Sequence, residues 1–244
     1  GAAPPPVTVG AAARGSGATV ALVSTPGEYA FADAVDAVDA GLHTMVFSDN
    51  VPLAQEIALK RYAEDADVLV MGPDCGTAVV AGVGLGFANV VRPGPVGIVA
   101  ASGTGAQHLM TLLDHAGVGV SHCLGVGGRD LSADVGGVST IRALDLLADD
   151  DATDLVVVVS KPPDAEVADR LERRAQELGK PVLFALLGPG RPDLTAVAER
   201  VVTSAGGTWQ KPSSTRGSVE AGRPGGYLGG LFAGGTMCYE AMLL

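Results

Sequence analysis

Short, wholly apolar runs alternate along this chain with segments in which apolar residues recur every three or four positions, beginning near residue 18. Val20-Ala21-Leu22-Val23 is the first run. Pro26-Gly27-Glu28 then opens a helical segment reaching Ala40, with Phe31, Ala34, Val35 and Val38 on one face. Gly41 stops it; residues 43–47 read as the next strand, 52–65 as the next helix and 68–71 as the strand after. The glycine-rich stretch 76–94 breaks this rhythm and reads as loops with short extended pieces joining two units. Beyond Arg92-Pro93-Gly94-Pro95 the alternation resumes. Strands are expected at 96–100, 120–124, 155–159 and 182–186, and helices at 105–115, 140–147, 164–178 and 193–203, with Gly179-Lys180-Pro181 as a helix-to-strand turn. Continuous apolar strands separated by helices of this length predict an α/β fold, a parallel sheet with helices on both faces. The expected divisions are a linker or surface loop over 1–17, a first unit over 18–94, a second over 95–210, and a glycine-rich segment over 211–244 whose part up to Gly235 is either a connector or a glycine-dense binding loop. The apolar helix resumed at 238–244 reads as the start of a further segment of a longer polypeptide.

Composition narrows the function classes. With 244 residues there is enough chain for a sizeable core, and with 4% aromatic residues that core is built from Val, Leu and Ala. The formal net charge of -11 argues against sequence-independent binding to nucleic acid or to an anionic membrane as the main task. Cys75, Cys123 and Cys238 are odd in number and far apart, forming neither a disulfide framework nor a metal-binding pair, which suits a reducing cytoplasm. No apolar run is long enough to span a membrane, and no secretory leader is visible in the sequence shown. A cytoplasmic location is expected.

Val99-Ala100-Ala101-Ser102-Gly103-Thr104-Gly105 runs from a predicted strand into a predicted helix through two glycines. Backbone N–H groups at such a helix start, with the Ser102 and Thr104 hydroxyls, can seat a phosphate or carboxylate without net positive charge. An ordinary N-cap and tight turn is the competing reading. Neither G-x-G-x-x-G nor the Walker motif is present, which disfavours a nicotinamide dehydrogenase and a P-loop ATPase. Gly125-Val126-Gly127-Gly128-Arg129-Asp130 ends another strand; there Arg129 is either a bidentate contact to an anion or half of a solvated surface pair. Lys161, in Val159-Ser160-Lys161-Pro162-Pro163, is either a third anion contact or a plain exposed lysine. In a doubly wound sheet all three strand ends lie on the carboxyl edge, where ligands bind at a switch in strand order. In the first unit Thr25, Ser48 and Asn50 also sit at strand ends within reach of a polar ligand, and Pro26 and Pro52 pre-set the following helices. Cys75 reads as a buried structural thiol rather than a nucleophile, and His43 as a satisfied strand residue. His108, His115 and His122 lack a fourth ligand at recognisable spacing, so no metal site is expected.

Ser48-Asp49-Asn50-Val51-Pro52, Met71-Gly72-Pro73-Asp74-Cys75-Gly76, Gly97-Ile98-Val99-Ala100-Ala101-Ser102-Gly103-Thr104 and Gly125-Val126-Gly127-Gly128-Arg129-Asp130 occur in an order that resembles the α subunit of succinyl-CoA synthetase. Gly128-Arg129-Asp130-Leu131-Ser132 and Ser160-Lys161-Pro162-Pro163 are more similar to its FdrA-type, acyl-CoA-synthetase-like relatives. The resemblance covers the chain from about residue 18 onward. It implies a Rossmann-like CoA-binding domain, partial here because no glycine-rich turn precedes Thr19, followed by a flavodoxin-like ligase domain. It also implies that Ser102, Gly103 and Thr104 match the helix start that receives the phosphate of a phosphohistidine. The histidine itself would fall where Gly188-Pro189-Gly190-Arg191-Pro192 stands, and the glutamate that supports it near Lys161. From the resemblance follows an expected subunit of a larger assembly in carbamoyl or acyl transfer of the oxamate carbamoyltransferase kind. Lys161 and Arg129 would then be catalytic, and Ser102, Gly103, Thr104, Gly127, Gly128, Thr25, Ser48 and Asn50 would bind the ligand. CoA or carbamoyl phosphate would be the ligand or substrate, and a small anionic substrate and other subunits the partners. Acyl-CoA synthesis by a CoA ligase, or a catalytically silent scaffold or sensor, are the alternatives.

Overall fold

A computed structural model describes residues 5–213 and 229–243. Its first part alternates α1 (Val9–Ser16), β1 (Val20–Val23), α2 (Gly27–Asp39), β2 (His43–Val46), α3 (Leu53–Asp65) and β3 (Val70–Met71). The strands form a parallel three-stranded sheet in the order β1-β2-β3. Pro26 and Pro52 precede α2 and α3 at φ near -50° and -56°, so each helix starts from a fixed ring without a side-chain cap. Val23, Ala30, Ala34, Val38, Val46, Leu59, Ala63 and Val70 are buried together between this sheet and the two helices. The loop expected over residues 1–17 is instead helical in part. Thr8 caps α1, and the Gly10 N–H donates to Asp36 Oδ2 of α2 at 2.7 Å, a tertiary bond that local composition could not reveal.

The second part contains β4 (Thr77–Val80), β5 (Val83–Gly86), β6 (Val96–Ala100), α4 (Gly103–His115), β7 (Val120–Gly125), α5 (Val138–Asp149), β8 (Leu155–Ser160), α6 (Ala165–Glu177), β9 (Val182–Leu186), α7 (Leu194–Ser204) and α8 (Gly235–Met242). Six strands lie in the order β5-β4-β7-β6-β8-β9. β6 to β9 are parallel, whereas β4 and β5 pair antiparallel as a hairpin added at the edge, so the sheet is mixed rather than purely parallel. The expected short extended pieces between the units are this hairpin.

Burial explains why the central strands read as continuous apolar runs. Ile98 and Ala100 on β6, and Val157 and Val159 on β8, face α4 and α7; the intervening Val99, Val156 and Val158 face α5 and α6. Both faces are covered, so alternation disappears. Met45 and Met71 of the smaller sheet, with Leu69 just before β3, share the second of these cores with Val99, Leu124 and Leu144. From β6 the chain passes to β7 on one side and later to β8 on the other, so the strand order reverses at β6, and a crevice opens beyond its carboxyl end.

Candidate functional site

That crevice is a cleft of about 660 Å³, lined in part by Ser102, Gly103, Thr104, Gly127, Gly128 and Lys161. Six of the ten residues expected at the site are thus brought together. The ladder of β6 continues past the strand: the Ala101 N–H donates to the Val159 carbonyl at 2.9 Å and the Val126 N–H to the Ala100 carbonyl at 2.8 Å. These bonds hold the three strand ends at one level. Ser102 is extended and its hydroxyl accepts from the Gly105 N–H at 3.0 Å, capping α4. A Cβ at Gly105 would stand 2.7 Å from Ser102 Oγ and 3.1 Å from Val159 Cγ1, so this turn closes only with glycine there. The first main-chain bond of α4 runs from the Ala106 N–H to the Ser102 carbonyl, which leaves the Gly103 and Thr104 N–H groups directed out of the helix start.

A second helix start meets the first. Gly234 precedes α8 without a side-chain cap, and Thr236 Oγ1 shares a short hydrogen bond with Ser102 Oγ. Substituting a side chain at Gly234 would drive it into Thr104, and a Cβ on Gly235 would stand 3.4 Å from Lys161 Nζ. Glu240 anchors the far end of α8, accepting from the Leu194 N–H at the head of α7 at 2.8 Å, while Met237 and Tyr239 pack against the core beneath. Two helix N-termini and one ammonium therefore converge. Each terminus carries about half a positive charge, so a dianionic group has its charge matched locally although the chain as a whole is acidic.

Residues 74–77 and Phe87, leading into the hairpin and just after it, also line the cleft. Gln107 Nε2 on α4 donates to Thr77 Oγ1 at 3.1 Å and to the Phe87 carbonyl at 2.8 Å, tying the hairpin to the cleft wall. Cys75 also lines the cleft, but burial pushes its thiol up to about 12, and Sγ lies against the Thr77 carbonyl at 3.6 Å. A thiol protonated at neutral pH is a poor nucleophile, in line with the structural role expected for it. Thr236, Gly234, Gly235, Thr77 and Gln107 were not singled out by sequence reasoning. Gly234-Gly235-Thr236 before an apolar helix repeats the small-residue pattern of Ser102-Gly103-Thr104, and that repetition was the available signal. Of the glycine-rich connector, residues 214–228 lie outside the described residues.

Four expected residues lie elsewhere. Arg129 is not among the residues lining the cleft: its Nε is 2.7 Å from Glu56 Oε2 and its Nη2 donates to the Val51 carbonyl at 2.8 Å, so it braces the start of α3 rather than facing a ligand in the cleft. Thr25 and Ser48 line a neighbouring cavity of about 470 Å³ at the carboxyl ends of β1 and β2, which shares Asp74, Gly76 and Phe87 with the cleft. Their hydroxyls are engaged, Thr25 donating to Asp33 Oδ2 at 2.9 Å and Ser48 to the Thr25 carbonyl. Asn50 is exposed, takes a left-handed φ of 56° and lines neither cavity. Its place in sequence gives its backbone position, not the direction of its amide.

With the geometry in place, known proteins bear on it. The succinate–CoA ligase [ADP-forming] α subunit of Staphylococcus aureus is 26% identical over 189 residues, 76% of this chain and 61% of that protein. A second such subunit, from Archaeoglobus fulgidus, is 29% identical over 187 residues, 74% of this chain and 63% of that protein. The chain is a homologue of the succinate–CoA ligase α subunit. This homologue is also 37% identical over 247 residues to the uncharacterised Escherichia coli protein YahF, matching 91% of this chain and 47% of YahF. It thus spans about half of YahF and about three-fifths of the ligase subunits. No protein-family model matches it. Among solved structures, the Ca. Korarchaeum cryptofilum dinucleotide-forming acetyl-coenzyme A synthetase 1, in complex with phosphate and ADP, superposes with a TM-score of 0.55 at 19% identity, over 79% of this chain and 41% of that one. ATP citrate lyase from Methanothrix soehngenii, in complex with citrate and coenzyme A, gives 0.58 at 17% identity, over 82% and 37%. These likenesses establish an α/β fold of the CoA-ligase and citrate-lyase type, in accord with the ligase-family resemblance of the motifs.

Proposed function

We propose that this homologue is the anion-binding part of an acyl-CoA ligase, holding a phosphate or phosphorylated group in its cleft during acyl-CoA formation. The observation that carries the reading is the meeting of the α4 and α8 N-termini with Lys161, linked by the Ser102–Thr236 hydroxyl pair. Gly103, Thr104 and Gly235 offer backbone N–H donors, and Lys161 supplies the full charge that a transferring phosphoryl or acyl-phosphate group develops. In this reading the part built on β1 to β3 is a partial Rossmann-like CoA-binding unit, and the part built on the six-stranded sheet, with the β4–β5 hairpin, a flavodoxin-like ligase unit. The cavity beside Thr25 and Ser48 then receives the CoA end of the substrate pair, next to the phosphate seat. Other subunits or domains complete the reaction, since the homologous ligase subunits are longer than this chain.

The test is calorimetric titration of the full chain with inorganic phosphate, then with CoA, accompanied by an assay of nucleotide-dependent acyl-CoA formation. Phosphate is expected to bind, and Lys161→Met to weaken it roughly 10–100-fold, the worth of a charge-assisted hydrogen bond. Unchanged affinity in Lys161→Met would remove this cleft as the seat.

A second reading, carbamoyl transfer with carbamoyl phosphate as donor, is favoured by one observation. The chain has four histidines, and none of them is among the residues lining the cleft, which supports a reaction without a phosphohistidine relay there. Binding of carbamoyl phosphate without binding of CoA would select that reading.

A further inference from the structure

Set back from the cleft is a second charge system, enclosed by protein and unused by the anion seat. The side chain of Lys60 on α3 is fully buried; its ammonium donates to the Val126 carbonyl at 2.9 Å and to Asp130 Oδ1 at 2.7 Å, and lies 3.0 Å from Glu56 Oε1. Asp130, also fully buried, accepts from the Thr140 N–H at 2.9 Å, the Thr140 hydroxyl at 2.6 Å and the Ser139 N–H at 3.3 Å, at the head of α5. The other oxygen of Glu56 pairs with Arg129. Lys60 and Arg129 thus balance Glu56 and Asp130.

The two loop groups that Lys60 grips, the Val126 carbonyl and the Asp130 carboxylate, flank Gly127 and Gly128, which line the cleft. Gly127 has φ near +88°, and a Cβ there would lie 2.6 Å from the Pro73 carbonyl oxygen, so the loop is pressed against its neighbour with no slack on that side. Withdrawing these ions from water is costly, and an apolar filling of the same volume would stabilise the fold at least as well. What an apolar filling lacks is direction: one ammonium ties a given carbonyl and a given carboxylate to one point on α3.

We propose that Lys60 is a positioning residue for the cleft. By pinning both ends of the 126–130 loop, it sets how closely the Gly127 and Gly128 backbone approaches an anion held by α4, α8 and Lys161. This rests on the anion-seat reading above, and the test separates the two. The full chain is titrated with inorganic phosphate, and amide exchange of residues 125–130 is followed alongside thermal unfolding. Lys60→Met is expected to weaken phosphate binding on the order of 10-fold, the size of effect seen when outer-shell partners are lost at metal sites, and to speed exchange at Val126 and Asp130, whose N–H groups donate to the Ala100 and Gly127 carbonyls. Lys161→Met is expected to weaken binding while leaving that exchange unchanged, as suits a direct contact. Where Lys60→Met alone leaves too much buried negative charge to fold, the variant Glu56→Gln/Lys60→Met/Asp130→Asn removes all three buried charges and answers the same question. Wild-type binding of phosphate together with wild-type affinity in either folded variant overturns the positioning role alone. Absence of phosphate binding by the wild-type chain overturns the anion seat, and the positioning role with it. Wild-type amides of Val126 and Asp130 that exchange as fast as an unprotected loop would also overturn the positioning role, with no variant needed.

Discussion

His43 opens β2, and its Nδ1 accepts the Leu69 N–H at 2.9 Å, which fixes the entry of β3. Only an imidazole with a free Nδ1 lone pair can accept that bond, so the neutral form is the one the fold selects. Burial lowers the His43 pKa, the Arg142 charge lowers it further and Asp67 opposes both. A histidine with its folded pKa depressed contributes stability that is fully present above its unfolded value, about 6.5, and is lost as pH falls below that toward the folded pKa. His43 is therefore expected to remain neutral at pH 6.5 in an NMR titration, and the urea midpoint to fall as pH drops below that value; a His43 that titrates at or above 6.5 contradicts this account. The strand-residue role of His43 was legible from its place in an apolar run. Arg129 was not, because a guanidinium at a strand end can swing toward ligand or protein, and the buried Glu56 that captures it comes from a helix 73 positions earlier (129 minus 56).

Among elements, β6 and β9 have the bounds expected from the apolar runs, and the helices of the second part agree to within a few residues at their ends. Buried parallel strands announce themselves because both faces need apolar side chains. α1 did not, since its residues lie in a Pro- and Gly-rich lead and it is held by packing on α2. The Gly10 N–H, then opposing burial, then the Thr8 hydroxyl set the balance at Asp36, and the net effect lowers its pKa. A depressed carboxylate contributes stability above its unfolded value, near 3.9, and loses it as pH falls through the folded pKa. Residues 9–16 are accordingly expected to gain protease sensitivity as pH falls below about 4, and Asp36→Ala to confer it at neutral pH. Equal cleavage of Asp36→Ala and wild type at pH 7 would show that α1 is held by its apolar face alone. The edge hairpin β4–β5 was legible only as extended pieces, because its antiparallel placement beside β7 is a long-range pairing with no local mark.

At the scale of the whole molecule, the cleft needs segments far apart in the chain: Ser102 and Thr236, 134 positions apart, share a hydrogen bond across it. Removing residues 229–244 deletes the second helix start and is expected to lower phosphate affinity by roughly 10-fold, as the loss of one helix-terminus contribution and its N–H donors would. The measurement is the same titration, and unchanged affinity would show that α4 and Lys161 suffice. By itself the sequence determined the α/β class, the run of strands and helices, and the strand ends that line the cleft, because these follow from local periodicity, caps and turn residues. Only the tertiary structure decided that α8 faces α4 over Lys161, that Arg129 and Asn50 stay outside, and that Lys60 reaches the glycine loop from α3. Those outcomes depend on the direction of individual side chains and on contacts between distant segments, and neither is encoded in the spacing of neighbouring residues.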